Sequence, residues 1–106
     1  MEKQQWQNLY NKLDQIQSDY LLAYQEYTRG KNKKLRDVAE KRAINLISLT
    51  ISYLKRNPEA LELLFEGDKS EFGQTIIFDE FKSLNYFGRD MSELLYQITH
   101  RINSLE

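Results

Sequence analysis

Apolar residues in the first quarter of the chain fall into one regular series. Trp6, Leu9, Leu13, Ile16, Tyr20, Ala23 and Tyr27 alternate steps of three and four. That is an a/d seam, and it predicts a single long helix over residues 2–29. At 1.5 Å per residue such a helix runs about 40 Å. Tyr10 and Tyr24 widen the seam, whereas Leu21 and Leu22 fall on the side away from it. Around Tyr20–Tyr24 the helix is apolar on nearly every face. This predicts a second contact there, with another helix of the chain or with another molecule.

Residues 35–55 predict a second helix. Its polar residues Lys41, Asn45, Ser48, Ser52 and Lys55 form one narrow stripe, with Leu35, Ala39, Ala43, Leu46 and Tyr53 on one side and Ile44, Ile47, Ile51 and Leu54 on the other. A helix apolar over most of its circumference is expected at the centre of a fold. Gly30 suits a left-handed position after the first helix, and Asn32 a cap before the second. Asn57-Pro58 ends the second helix and opens a short third one, closed by Gly67. Asp90-Met91-Ser92-Glu93 has the capping-box pattern and predicts that the last helix starts after Asp90, with an apolar stripe of Met91, Leu94, Ile98, Ile102 and Leu105. Between them, Ile77, Phe78, Phe81 and Leu84 fit a helix, and Thr75–Phe78 alternatively a short strand. The predicted fold is all-α: a small antiparallel bundle of four to five helices with a long N-terminal helix, forming one domain over residues 1–106.

Composition narrows the chemistry. With no cysteine among 106 residues, there is neither a disulfide framework nor a thiolate metal site. The polar start Met1–Trp6 does not read as a secretory signal, and no apolar run approaches the roughly 20 residues needed to span a bilayer. The expectation is a cytoplasmic protein without a membrane partner; the Lys-, Asn-, Gln- and Ile-rich composition is compatible with a small bacterial or phage protein. The net charge of −1 hides an asymmetry: residues 1–56 carry 11 Lys and Arg against 6 acids, and residues 57–106 carry 4 against 10. The halves can attract each other within the fold, or the basic half can face an acidic partner.

Catalytic signals are sparse. His100, the single histidine, has no nucleophile nearby in sequence and reads as a solvated surface residue. The aromatic-rich helical character is similar to that of small bundle ribonucleases of the HEPN kind. Their Arg-x4–6-His signature is absent, Arg89 lying eleven positions before His100, so that activity does not carry over. Asp68, Ser70, Gly73 and Asp79 imitate a calcium loop, but Phe72 replaces an oxygen ligand and Asp79 the closing Glu. No phosphate-binding glycine motif occurs. No cofactor, metal or catalytic residue is therefore assigned.

Two candidate surfaces remain. The first is a protein interface from Tyr20, Leu21, Leu22, Tyr24 and Tyr27, joined by Tyr86 and Phe87 of a glycine-flanked turn. The wider aromatic group Phe65, Phe78 and Phe81 reads mainly as core, whereas Phe72, beside Gly73, reads as exposed like the Tyr86-Phe87 turn. The second is the basic segment Arg29, Lys31, Lys33, Lys34 and Arg36. It sets cations at the positive end of a helix, a broken local rule that suggests an anion or nucleic acid. The leading expectation is a non-enzymatic interaction protein (homodimer, adaptor or inhibitor); the alternative is nucleic-acid binding through residues 29–42.

Overall fold

The computed structural model describes residues 1–64, 84 and 86–105. The expectations for Phe65, Gly67, the calcium-like loop, the strand at Thr75–Phe78, Phe72, Phe78 and Phe81 lie outside the described residues. Among those described, the regular structure is all α-helix, in four helices: α1 (Lys3–Arg29), α2 (Lys33–Arg56), α3 (Pro58–Leu64) and α4 (Phe87–Ser104). The first is 27 residues long, the predicted long N-terminal helix.

The seam of α1 is consumed inside the chain. Trp6, Leu9, Leu13, Ile16, Tyr20 and Ala23 are all buried, and only Tyr27, at the end of the series, stays half-buried. Two helices share this seam. The start of α1 meets the end of α2, where Gln5, Leu9 and Lys12 line one depression with Tyr53 and Asn57. On the other flank the Tyr20 and Phe87 rings meet at 4.5 Å, and the Arg101 guanidinium lies 5.8 Å over the Trp6 ring. Both α2 and α4 therefore run antiparallel to α1, one on each side of it, and α3 packs against both.

This arrangement corrects the expectation of a central second helix. The middle position belongs to α1, and α2 is buried along one face only, through Ala39, Ala43, Ile47, Thr50 and Leu54. That face alternates Ala39, Ala43 and Thr50 with the larger Ile47 and Leu54, and its small members allow a close approach of helix axes. Thr50 hides its hydroxyl by donating to the Leu46 carbonyl at 2.9 Å, which removes the cost of burying it. Leu35, Val38, Ile44 and Leu49 remain exposed. The predicted polar stripe is in place, with Lys41, Asn45, Ser48, Ser52 and Lys55 all exposed.

The caps follow sequence in part. Asn32 caps α2 as expected, its Oδ1 accepting the Leu35 N–H at 2.9 Å. Gly30 is not left-handed: its φ of −57° and ψ of 144° are open to any residue. Glycine is required for space instead, since a Cβ there would stand 2.5 Å from the Glu26 carbonyl oxygen and 3.0 Å from Arg36 Cγ. Asn57 ends α2, donating from Nδ2 to the Tyr53 carbonyl at 2.8 Å, and its own carbonyl accepts the Ala60 N–H at 3.0 Å to start α3. The last helix begins four residues ahead of the expected start, with Tyr86 at the N-cap. Burial of Phe87 against Tyr20 outweighs the local capping signal of Asp90.

Candidate interaction surface

The residues around Tyr20–Tyr24 divide into one interior group and two exterior ones. Tyr20 and Phe87 belong to the core, only 1% and 0% exposed, which takes both out of the expected surface. The Tyr20 hydroxyl donates to the Leu84 carbonyl. Burial, and then the neighbouring Tyr24, push its pKa up to about 12, because the charged phenolate loses more solvation than the phenol. Tyr24 stacks on Tyr20 at 5.9 Å and meets Tyr27 at 6.2 Å, so a half-buried tyrosine ladder leads from the core toward the end of α1.

Leu21 and Leu22, 52% and 62% exposed, point to opposite sides. Adjacent residues on a helix diverge by about 100°, and here α1 separates them into two grooves. Leu21 lies beside α4, sharing one depression with Gln17, Gly88 and Ser92 and another with Tyr10, Ser92 and Tyr96. Its floor is tied across the helices: Gln17 Nε2 donates to Ser92 Oγ at 2.8 Å, and that hydroxyl donates to the Gly88 carbonyl at 3.0 Å. Gln17 Oε1 is buried with no hydrogen-bond partner. Tyr86, exposed as expected, carries the Arg89 guanidinium 4.8 Å over its ring.

Leu22 lies on the other side. It lines a depression with Glu26, Arg29, Gly30, Lys31 and Leu35 at the α1–α2 turn. From there an exposed row continues along α2 through Val38 and Leu49. Neither residue nor Tyr96 stood out in the sequence. Leu35, Val38 and Leu49 share one side of α2 by helix geometry, but Arg42 and Asn45 stand between them, and a helix read as buried all round hides an outward row.

Of the basic candidates, Arg29 and Lys31 share the depression beside Leu22. Arg36 folds back, its Nη1 donating to the Gly30 carbonyl at 3.0 Å, so one of the cations at the positive end of α2 holds the turn closed. Arg29, Lys31, Lys33 and Lys34 are exposed, and Lys33 and Lys34 leave their helix about 100° apart. His100 is exposed and sets its ring edge-on to Tyr96 at 4.5 Å. Among the described residues no three His, Asp or Glu side chains gather as a metal site would need, and no helix is long and apolar enough to cross a membrane. Comparison with protein-family models, with curated proteins and with solved structures gives no match.

Proposed function

We propose that this chain is a non-enzymatic interaction protein that binds another protein, or a second copy of itself, through helix surface left outside its packed seam. The observation that carries the reading is the exposure of Leu21 and Leu22 on a helix whose seam is already satisfied internally. Exposed large side chains grouped beside grooves are where interfaces find their anchors. The reading takes the whole chain as one cytoplasmic domain, an antiparallel bundle of four to five helices that uses no cofactor. Tyr24, Tyr27 and Tyr86 complete the surface.

Light scattering on a sizing column, with the chain alone and after purification from its host, tests this. Self-association or a co-purifying protein is expected, lost in the Leu21→Glu, Leu22→Glu double variant while helicity by circular dichroism stays intact. Association indifferent to both changes, or loss of folding, would sink the reading. The exposed cations Arg29, Lys31, Lys33 and Lys34 keep nucleic-acid binding as a second reading. It requires affinity that falls as salt rises; affinity indifferent to salt ends it.

A further inference from the structure

The outward seam of α2 has a geometry and a charge of its own. Leu35, Val38 and Leu49 are 41%, 59% and 42% exposed. They lie within about 60° of one another at about 100° per residue, so they form one row parallel to the helix axis. The row spans about 21 Å from Leu35 to Leu49, and Leu22 of α1 extends it at the turn. Leu46 and Tyr53, partly buried against the core, floor its inner edge. Arg42 and Asn45 interrupt the row, both exposed. The three-and-four spacing that a second helix accepts is completed only through Arg42 and Asn45, so the row offers apolar contact at both ends and polar groups between them.

Charge decides among occupants. On the solvent side the row is bordered by Lys34 and Lys41, with Arg42 inside it and Arg56, which lies 4.9 Å over the Tyr53 ring, at its far end. The acids of α2, Asp37 and Glu40, fall on the opposite flank by the same angular count. Glu26 borders the row from α1 beside Leu22, and Arg29 and Lys31 line the same depression. Two copies joined row to row would set Arg42 and Lys41 of each against the same cations of the other. A membrane surface is a poor match as well, because interfacial helices bury a broad apolar face, and the broad apolar face of α2 is turned inward.

We infer that the outer row of α2, from Leu35 to Leu49 with Leu22 beside it, receives an amphipathic helix of another protein whose flank is acidic. This rests on the interaction reading and names its surface and partner chemistry. The partner's apolar stripe covers Leu35, Val38 and Leu49, and its carboxylates meet Lys41 and Arg42, where opposite charges set orientation and association rate.

The test uses the full chain and a fluorescent synthetic helix of about 21 residues, with leucines at alternating three and four steps and glutamates on both flanks. A sister peptide carries lysines in place of the glutamates. Anisotropy should show the glutamate peptide binding at least about tenfold more tightly than the lysine one. Val38→Glu and Arg42→Glu should each weaken it about tenfold, whereas Ile44→Glu, on the opposite flank of α2, should change it less than about twofold. If Val38→Glu fails to fold by circular dichroism, Val38→Ser replaces it with the same expectation.

Equal binding of the two peptides, no binding of either, or equal effects of Val38→Glu and Ile44→Glu would overturn the inference. So would sedimentation of the chain with phosphatidylserine vesicles, or a dimer, that Val38→Glu abolishes. Association that fails with Leu21→Glu while the peptide is ignored removes this inference and leaves the broader reading standing.

Discussion

Replacing Tyr20 with Phe removes one oxygen from the interior and leaves the ring that packs on Phe87 and Tyr24 in place. Two effects follow, and pH separates them. Near pH 8 the variant loses the hydrogen bond to the Leu84 carbonyl, which costs about 1–2 kcal/mol including the acceptor left behind. In alkali the wild-type chain loses an advantage that the variant never had. The folded phenol titrates at about 12 and the unfolded one at about 10. A pKa raised by folding stabilises fully below the unfolded value, and that stability is lost as pH rises from about 10 through about 12. At pH 11 the unfolded phenol is ionised about tenfold over its neutral form while the folded one is mostly neutral, a loss on the order of 1 kcal/mol. The gap between wild type and Tyr20→Phe should therefore be clearly smaller at pH 11 than at pH 8. Urea unfolding followed by circular dichroism at both pH values measures it, and the lysines and other tyrosines, common to the two chains, cancel in the difference. A gap of equal size at pH 8 and pH 11 would refute the claim that this phenol is desolvated in the fold.

The glycines give two opposite expectations. Gly30→Ala should destabilise by about 1–3 kcal/mol, since its Cβ would meet the Glu26 carbonyl oxygen at 2.5 Å; an unchanged melting temperature would mean that the turn opens freely. Gly88→Ala should stabilise by about 0.4–1 kcal/mol, because its Cβ finds ordinary contacts with Tyr20 at 3.7 Å and Leu21 at 3.9 Å inside a helix. A lower urea midpoint for that variant would show that the groove beside Leu21 has no room for a methyl group.

How far the sequence reached depended on what each pattern can encode. The α1 seam was legible residue by residue, because the spacing of Trp6 through Ala23 fixes a helix face whatever covers it. Spacing carries no information on whether the cover is α2 and α4 or another chain, so the seam alone could not decide between a monomer and a dimer. In α2 only part of the apolar pattern was informative: Leu35, Val38, Ile44 and Leu49 lie outside, while Ala39, Ala43 and Thr50 join Ile47 and Leu54 on the buried face. Close helix packing rewards small side chains that a hydropathy count undervalues. Leu21 and Leu22 read as one pair, and helix geometry sends them to different grooves. Arg36 read as part of a cationic cluster because the Gly30 carbonyl it binds is invisible until the turn closes. The start of α4 was misplaced for a related reason: local capping rules contain no term for the burial of Phe87 against a residue 67 positions earlier.

The placement of α1 between two neighbours also sets how tolerance to substitution is distributed along the chain. A change at Leu13 or Ile16 disturbs two helix pairings at once, whereas one at Ile47 or Ile98 disturbs the pairing of a single flanking helix with α1. Sensitivity to random mutation should therefore peak within the first 23 residues, at the 3–4 positions of the seam. On α2 it should fall along the outward row, leaving Val38 and Leu49 free to vary for reasons unrelated to folding.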